Sequence, residues 1–149
     1  MKSYNDACKI IILLQIALFG DCNNTHSPDK LEFTLSMQQE IRNKIPAGNI
    51  LVYYHPGDCS FCYGTLLSLS SEYSGLTLVS ISSTKNRFLV DFYLEQIGFH
   101  GISFSDSTTF FLERNQKILI ENNLFLIDSQ YNILARSKDL TEKFREQIK

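Results

Sequence analysis

Two cysteines lie three positions apart in the segment Cys59-Ser60-Phe61-Cys62. The apolar, β-branched and aromatic run at residues 50–54 predicts a buried strand, and residues 55–58 (His-Pro-Gly-Asp) end it. Cys59 is therefore expected at a helix N-terminus, where unpaired backbone N–H groups and the positive end of the dipole stabilise a thiolate. Cys62 follows on the same face, close enough to close a small ring. Cys59 could attack a partner's disulfide, and Cys62 could resolve the mixed disulfide that forms.

Helices and strands are predicted on both sides of this dithiol. Apolar residues at spacings of four (Phe33, Met37, Ile41, Ile45) predict a helix over residues 31–45. The helix opened by Cys59 is expected to present Cys62, Leu66, Leu69 and Tyr73 on one face. Beyond it the pattern predicts a strand over residues 76–81, a helix over residues 85–97, and paired strands over residues 124–128 and 131–135. A last helix is predicted from near Asp139, with Glu142 in a capping box. Its inward residues are expected to be Leu140, Phe144 and Ile148. This order indicates an α/β domain built around one sheet.

Side-chain burial is less clearly predicted in the second half of the chain. The helix over residues 85–97 is expected to turn Leu89, Phe92 and either Gln96 or Ile97 inward. Residues 98–119 show no clear period, although Phe104, Phe110, Phe111 and Leu112 are expected to be buried.

Length and charge narrow the function classes. The chain has 149 residues, a length that suits one domain. Its formal net charge is −2, and the sequence has no basic patch of the kind that binds nucleic acid. No cofactor is implied. The four cysteines do not spread through the chain as a multi-disulfide framework would.

The N-terminus has the pattern of an export signal. Residues 10–20 form an apolar run behind Lys2 and Lys9, shorter than the roughly 20 residues that span a bilayer. Cys22 follows at once, which resembles a bacterial lipoprotein signal whose cysteine is lipidated. We expect a signal at residues 1–21, a polar linker at residues 22–30 and the domain at residues 31–149, anchored to the membrane and facing the periplasm. Asp21 stands where a small residue is usual, so an ordinary signal or an uncleaved anchor is the alternative.

The segment from Tyr53 to Cys62 resembles the strand and active site of the thioredoxin superfamily. Residues 124–134 (LFLIDSQYNIL) are similar to the hairpin of its membrane-tethered TlpA/ResA-like branch. The resemblance implies a thioredoxin-like fold, a central mixed sheet flanked by helices. It also implies Cys59 as the attacking thiol and Cys62 as the resolving thiol, with protein thiols and disulfides of the cell envelope as partners.

Three positions depart from the pattern of that family. The cis-proline before the hairpin should fall near Asn123, where the sequence has Asn122-Asn123-Leu124, so a trans or differently shaped loop is expected. The buried acid of many members would fall at Tyr53, which is no base near neutral pH. Asp58 precedes Cys59, and its carboxylate opposes the thiolate that the helix terminus favours. The departures at Tyr53 and Asn123 favour the alternative of a non-catalytic binding or scaffold lipoprotein with a structural disulfide between Cys59 and Cys62.

Two further hypotheses concern the surroundings of the dithiol. His55, Cys59 and Cys62 could supply three metal ligands, with His26 or His100 as a distant fourth, but no second C-x-x-C supports this and no metal is expected. A docking surface for partners is predicted from Ser60 and Phe61 together with the loop residues Asn122 and Asn123.

Overall fold

The computed structural model describes residues 29–137, 139 and 140. Its helices are α1 (Leu35–Lys44), α2 (Ser60–Glu72), α3 (Arg87–Gln96) and α4 (Phe110–Leu119). Its strands are β1 (Ile50–His55), β2 (Thr77–Ser82), β3 (Ile102–Ser105), β4 (Leu124–Ile127) and β5 (Ile133–Arg136). The signal, Cys22, most of the linker and the last helix beyond Leu140 lie outside the described residues. Among those that are described, no helix is long and apolar enough to span a membrane.

The strands form one mixed five-stranded sheet in the order β3-β2-β1-β4-β5. Strands β1, β2 and β3 are parallel, whereas β4 pairs antiparallel with both β1 and β5. The carboxyl ends of β1 and β2 therefore meet at one edge of the sheet, and the segment that follows β1 carries the dithiol. Functional residues commonly lie beyond this edge in open α/β sheets.

Both faces of the sheet are covered, which explains why its central strands are apolar almost without interruption. One face packs against α1 and α4; its core includes Phe33, Met37, Ile41, Val52, Ile81, Phe111 and Phe125. The other face packs against α2 and α3; its core includes Leu51, Tyr53, Tyr63, Leu66, Leu69, Val90 and Leu94. The predicted α2 face is confirmed, since Cys62, Leu66, Leu69 and Tyr73 are all buried.

The first helix begins four residues later than the sequence predicted, at Leu35. Lys30 forms a bridge with Asn132, and the Leu31 N–H donates to the Tyr131 carbonyl at 3.0 Å, so this segment is extended. Leu31 and Phe33 are buried with the alternation of a strand. The helix starts after Thr34, whose side chain accepts a hydrogen bond from the Met37 N–H at 3.2 Å.

Four residues that were expected to be buried are not: Phe92 and Leu112 are exposed, and Leu89 and Phe110 are only half-buried. In α3 the buried positions are Val90 and Leu94, and Phe92 is 47% exposed because it lies off the face that packs on the sheet. In α4 the inner face carries Phe111 and Asn115, which leaves Leu112 at the surface. The burial of Phe104 and Phe111 is confirmed.

Asn115 ties the extended segment before α1 to α4. Its side-chain oxygen accepts from the Glu32 N–H at 2.8 Å, and its amide nitrogen donates to the Glu32 carbonyl at 2.9 Å and to the Phe111 carbonyl at 2.8 Å. Asp106 performs a similar task at the start of α4, where its carboxylate accepts from the N–H groups of Phe111 and Leu112. Both side chains are buried, and each of their polar atoms has a hydrogen-bond partner.

Candidate functional site

Cys59 and Cys62 form a disulfide at the junction between β1 and α2, with their Cα atoms 5.5 Å apart. Cys59 is the N-cap of α2 and has extended backbone angles, and Cys62 lies one turn into the helix. The Cys62 N–H points at the Cys59 sulfur, with a nitrogen-to-sulfur distance of 3.2 Å. When the disulfide opens, this donor and the helix dipole are in place to stabilise a Cys59 thiolate.

The two sulfur-bearing residues differ in access. Cys59 is partly exposed, whereas Cys62 is 4% exposed and belongs to the inner face of α2. Cys59 is therefore the more accessible of the two cysteines. Asp58, the neighbouring carboxylate, is exposed to water, which weakens its effect on Cys59.

The loop before Cys59 is held against the end of β2. The Ser83 N–H donates to the His55 carbonyl at 2.9 Å, and the Ser83 hydroxyl donates to the Pro56 carbonyl at 3.2 Å. Gly57 has a φ of +85°, and a Cβ at this position would lie 2.7 Å from Thr84 Cγ2. Only glycine fits this backbone conformation and this close approach without strain.

His55 lies at the end of β1 and is buried, with 1% of its surface exposed. Its Nε2 is 2.8 Å from Ser80 Oγ on β2, and its Nδ1 has no hydrogen-bond partner among the described residues. The ring stacks on Tyr53 at 5.2 Å between centroids and meets Tyr63 edge-on at 5.5 Å. Burial lowers the pKa of His55 to about 4, so the imidazole is neutral near pH 7.

Tyr63 connects the helix that carries the dithiol to the loop before it. Its hydroxyl donates to the Gly57 carbonyl at 2.7 Å, and its ring stacks on Tyr93 of α3 at 4.6 Å. Burial, followed by the nearby Tyr93, Asp58 and Asp91, raises the pKa of Tyr63 to about 12. Burial likewise raises the pKa of Tyr53. Neither tyrosine is a base near neutral pH, and burial keeps the His55 imidazole unprotonated there.

The predicted docking residues occupy different environments. Ser60 is exposed and Phe61 is 82% exposed, although a phenyl ring ordinarily prefers burial. The Asn123 carbonyl accepts from the Tyr54 N–H at 2.8 Å, which places its loop beside the end of β1. The Asn122 side chain is buried, so Asn123 is the member of this pair that presents its side chain to solvent. The described residues contain no cis peptide bond, and this loop is trans.

The structure does not assemble the metal site considered from the sequence. His55 faces Ser80, and no group of three or more histidine, cysteine or acidic side chains in the described part of the chain could hold a metal ion. His100 precedes β3, at the edge of the sheet opposite the dithiol. His26 lies outside the described residues.

Two residues of this region were not identified from the sequence. Ser80 interrupts the apolar strand β2 on the side that faces α2 and α3, and a serine at an inward position of a buried strand is the signal that could have indicated a polar partner. Tyr63 follows the second cysteine directly, but no local pattern shows that its hydroxyl bonds back to Gly57.

Structural comparison assigns the fold. The thioredoxin domain of a thiol-disulfide oxidoreductase from Bacteroides vulgatus superposes with a TM-score of 0.53 at 18% sequence identity, covering 72% of this chain and 84% of that one. A thiol-disulfide oxidoreductase from Bacteroides fragilis gives 0.51 at 20% identity, covering 66% and 80%. A thiol:disulfide interchange protein from a Bacteroides species gives 0.52 at 16% identity, covering 70% and 75%. No family model matches the chain, and no curated protein matches it. The chain has the thioredoxin-like fold.

Proposed function

We propose that this protein exchanges disulfides with partner proteins through Cys59 and Cys62. The observation that carries the proposal is the position of the disulfide, with the partly exposed Cys59 at the N-terminus of α2 and the Cys62 N–H directed at its sulfur. This arrangement is a common way to stabilise a reactive thiolate. The names of the similar Bacteroides structures agree with this chemistry.

The exchange balances as a two-electron transfer. In the reduced protein the Cys59 thiolate attacks a partner disulfide, a Cys59–partner disulfide forms, and one partner sulfur leaves as a thiolate. Cys62 then loses its proton and attacks the Cys59 sulfur, the bond from Cys59 to the partner breaks, and the second partner sulfur leaves. The protein becomes oxidised and the partner becomes reduced. The reverse sequence oxidises a partner.

Trapping tests this proposal. The Cys62→Ser variant is expected to accumulate Cys59-linked partner proteins that a reducing agent releases, because the resolving sulfur is missing. Cys59→Ser is the matched control and should trap far less, since Cys62 is buried. The proposal fails if Cys62→Ser captures no more protein than Cys59→Ser.

A scaffold with a structural disulfide is the second candidate function. The replacement of the family's proline and buried acid by Asn123 and Tyr53 favours it. The two functions differ in the reduction potential of the Cys59–Cys62 pair. A potential well below about −300 mV would identify an inert bridge, whereas a higher value would support exchange.

The docking surface and the anchor form part of the same proposal. Phe61 is the exposed apolar contact next to the dithiol, so Phe61→Ala should slow exchange with protein substrates while leaving reaction with a small disulfide unchanged. Leu35→Ala is the control, because Leu35 is 79% exposed but lies on α1, across the sheet.

Lipidation at Cys22 is tested by growing cells with a labelled fatty acid. The wild type and Cys8→Ala, a matched change within the predicted signal, should take up the label, and Cys22→Ala should not. Equal labelling of Cys22→Ala and the wild type would contradict lipidation at Cys22.

A further inference from the structure

Tyr63 makes a hydrogen bond that spans the dithiol along the chain. Its hydroxyl donates to the Gly57 carbonyl at 2.7 Å, and both residues are buried. Gly57 lies two positions before Cys59, and Tyr63 lies directly after Cys62. The covalent ring that the disulfide closes is therefore contained within a larger ring that the hydrogen bond closes. Opening the disulfide breaks the inner ring and removes no atom of the outer one.

The Tyr63 side chain is held by packing that involves neither sulfur. It is 2% exposed, its ring stacks on Tyr93 of α3 at 4.6 Å, and it meets the His55 ring edge-on at 5.5 Å. Burial raises the pKa of Tyr63 to about 12, so the hydroxyl keeps its proton over the pH range in which cysteine thiols ionise. The donor is therefore protonated and fixed in position by contacts that do not depend on the disulfide.

Cys59 lies at a helix terminus, where the chain is weakly held. The Cys62 N–H is shared between the Cys59 carbonyl oxygen at 3.0 Å and the Cys59 sulfur at 3.2 Å. Helix ends fray readily when so few contacts hold them. Ser83, after β2, fixes the loop before Cys59 to the sheet by donating to the Pro56 carbonyl at 3.2 Å. Tyr63 fixes the same loop to α2, the helix that carries Cys62.

We propose that Tyr63 is a positioning residue for the second half of the exchange: its hydrogen bond to Gly57 keeps Cys59 within reach of Cys62 after the disulfide has opened. The proposal deepens the exchange function above and rests on it for the reaction that is positioned. In that reaction the Cys62 thiol gives its proton to water, and its thiolate attacks the Cys59 sulfur. The Cys59–Cys62 bond forms, the bond from Cys59 to the partner sulfur breaks, and the partner sulfur leaves as a thiolate. Holding two reacting groups in place raises their effective concentration.

Loss of the hydroxyl is expected to affect the two states of the dithiol unequally. In Tyr63→Phe the buried Gly57 carbonyl loses this donor, and an unpaired buried carbonyl is destabilising. In a mixed disulfide the loop is free to turn this carbonyl toward water, whereas the closed disulfide ring restrains the loop. The variant should therefore favour the mixed disulfide over the closed ring. A merely structural contact would stabilise both states equally and leave their balance unchanged.

Equilibration with glutathione separates the two steps of the exchange. Acid stops the reaction, and mass spectrometry then counts the dithiol, the glutathione mixed disulfide and the closed disulfide. Their ratios give one equilibrium constant for forming the mixed disulfide and a second for ring closure. Tyr131→Phe is the matched control, because Tyr131 is also buried and its hydroxyl donates to the Gln38 carbonyl, on the other face of the sheet.

We expect Tyr63→Phe to lower the ring-closure constant about fivefold, the effect of one hydrogen bond, and to leave the first constant within about twofold of the wild type. Tyr131→Phe should leave both constants within about twofold. An unchanged ring-closure constant in Tyr63→Phe would overturn the proposal. Equal changes in the two constants would overturn it as well, as would an equal loss of ring closure in Tyr131→Phe.

Carbon NMR of the wild type, labelled at the tyrosine Cζ atoms, tests the contact without a substitution, in case the variant fails to fold. The Tyr63 resonance should keep its position when the disulfide is reduced, because the hydrogen bond to Gly57 persists. A shift to the position of a tyrosine in water would refute the proposal. Neither measurement needs a protein partner, so a failure of Cys62→Ser to trap partners would be distinguishable from a failure of the Tyr63 proposal.

Discussion

Gly57 offers a quantitative test of how the dithiol loop is built, because it combines two constraints that do not occur together at any other glycine of the described residues. Its φ of +85° is strained for any residue with a side chain, and an added Cβ would lie 2.7 Å from Thr84 Cγ2 and 2.8 Å from Ser82 Cβ. The backbone term costs about 1–2 kcal/mol and the overpacking about 1–3 kcal/mol. Gly57→Ala should therefore lower the free energy of unfolding by about 2–5 kcal/mol.

Two control substitutions isolate the two terms. Gly98 has a φ of +62°, and a Cβ added there would meet nothing within 4 Å, so Gly98→Ala should cost only the backbone term, about 1 kcal/mol. Gly64 lies inside α2 with open space around it, so Gly64→Ala should stabilise the protein by about 0.5–1 kcal/mol.

The assay is urea unfolding of the oxidised protein at neutral pH, comparing the midpoints of variants whose slopes are equal. The order of stability is expected to be Gly64→Ala, wild type, Gly98→Ala, Gly57→Ala. If Gly57→Ala costs no more than Gly98→Ala, the close packing of the loop on the end of β2 is not as described.

Three further predictions concern buried polar groups. Asn115→Ala should lower the free energy of unfolding by about 2–4 kcal/mol in urea titrations, because it removes three hydrogen bonds made by a buried side chain, two to the Glu32 backbone and one to the Phe111 carbonyl; a loss under about 0.5 kcal/mol would contradict this. Asp106→Ala should cost about 1–2 kcal/mol, since it removes the carboxylate that caps α4, and Glu113→Ala in the same helix's exposed first turn should cost less. The lowered pKa of His55, about 4 when folded and 6.5 as a free group, means that unfolding takes up a proton below pH 6.5. The corresponding contribution of His55 to the free energy of unfolding, about 3 kcal/mol, is fully present above pH 6.5 and is lost as the pH falls toward 4. A plot of unfolding free energy against pH should show this loss for the wild type and not for His55→Asn. Parallel curves for the two proteins would refute the prediction.

Much of the site could be predicted from the sequence because the interactions that form it join residues close together in the chain. A continuous apolar run ended by His55-Pro56-Gly57-Asp58 marks a strand followed by a turn, and the C-x-x-C spacing places both sulfurs on one helical face. In the structure the Cys59–Cys62 disulfide lies at this junction, and Cys59 is the N-cap of α2. The hairpin of β4 and β5 was predicted for the same reason, since Asp128 forms its turn by accepting from the N–H groups two and four residues on.

The errors arose where distant segments decide the outcome. Residues 30–33 have a pattern compatible with a helix, yet they are extended because Tyr131 and Asn132, near the other end of the domain, supply backbone partners. Phe92 was expected inside because it is apolar, but the packing direction of α3 buries Val90 instead. The local pattern indicates which residues could be buried, and the way the helices pack on the sheet decides which of them are buried.

The sequence alone therefore determined which atoms could react: two sulfurs at helical spacing, directly after a strand, with backbone amides available to a thiolate. Only the tertiary structure decided that Cys59 is partly exposed while Cys62 is buried, and that His55 and Ser80, 25 positions apart, meet on neighbouring strands. The physical reason is the range of the interactions. Helix termini and turns act over a few residues, whereas burial and the pairing of buried polar groups depend on what the rest of the chain brings into contact.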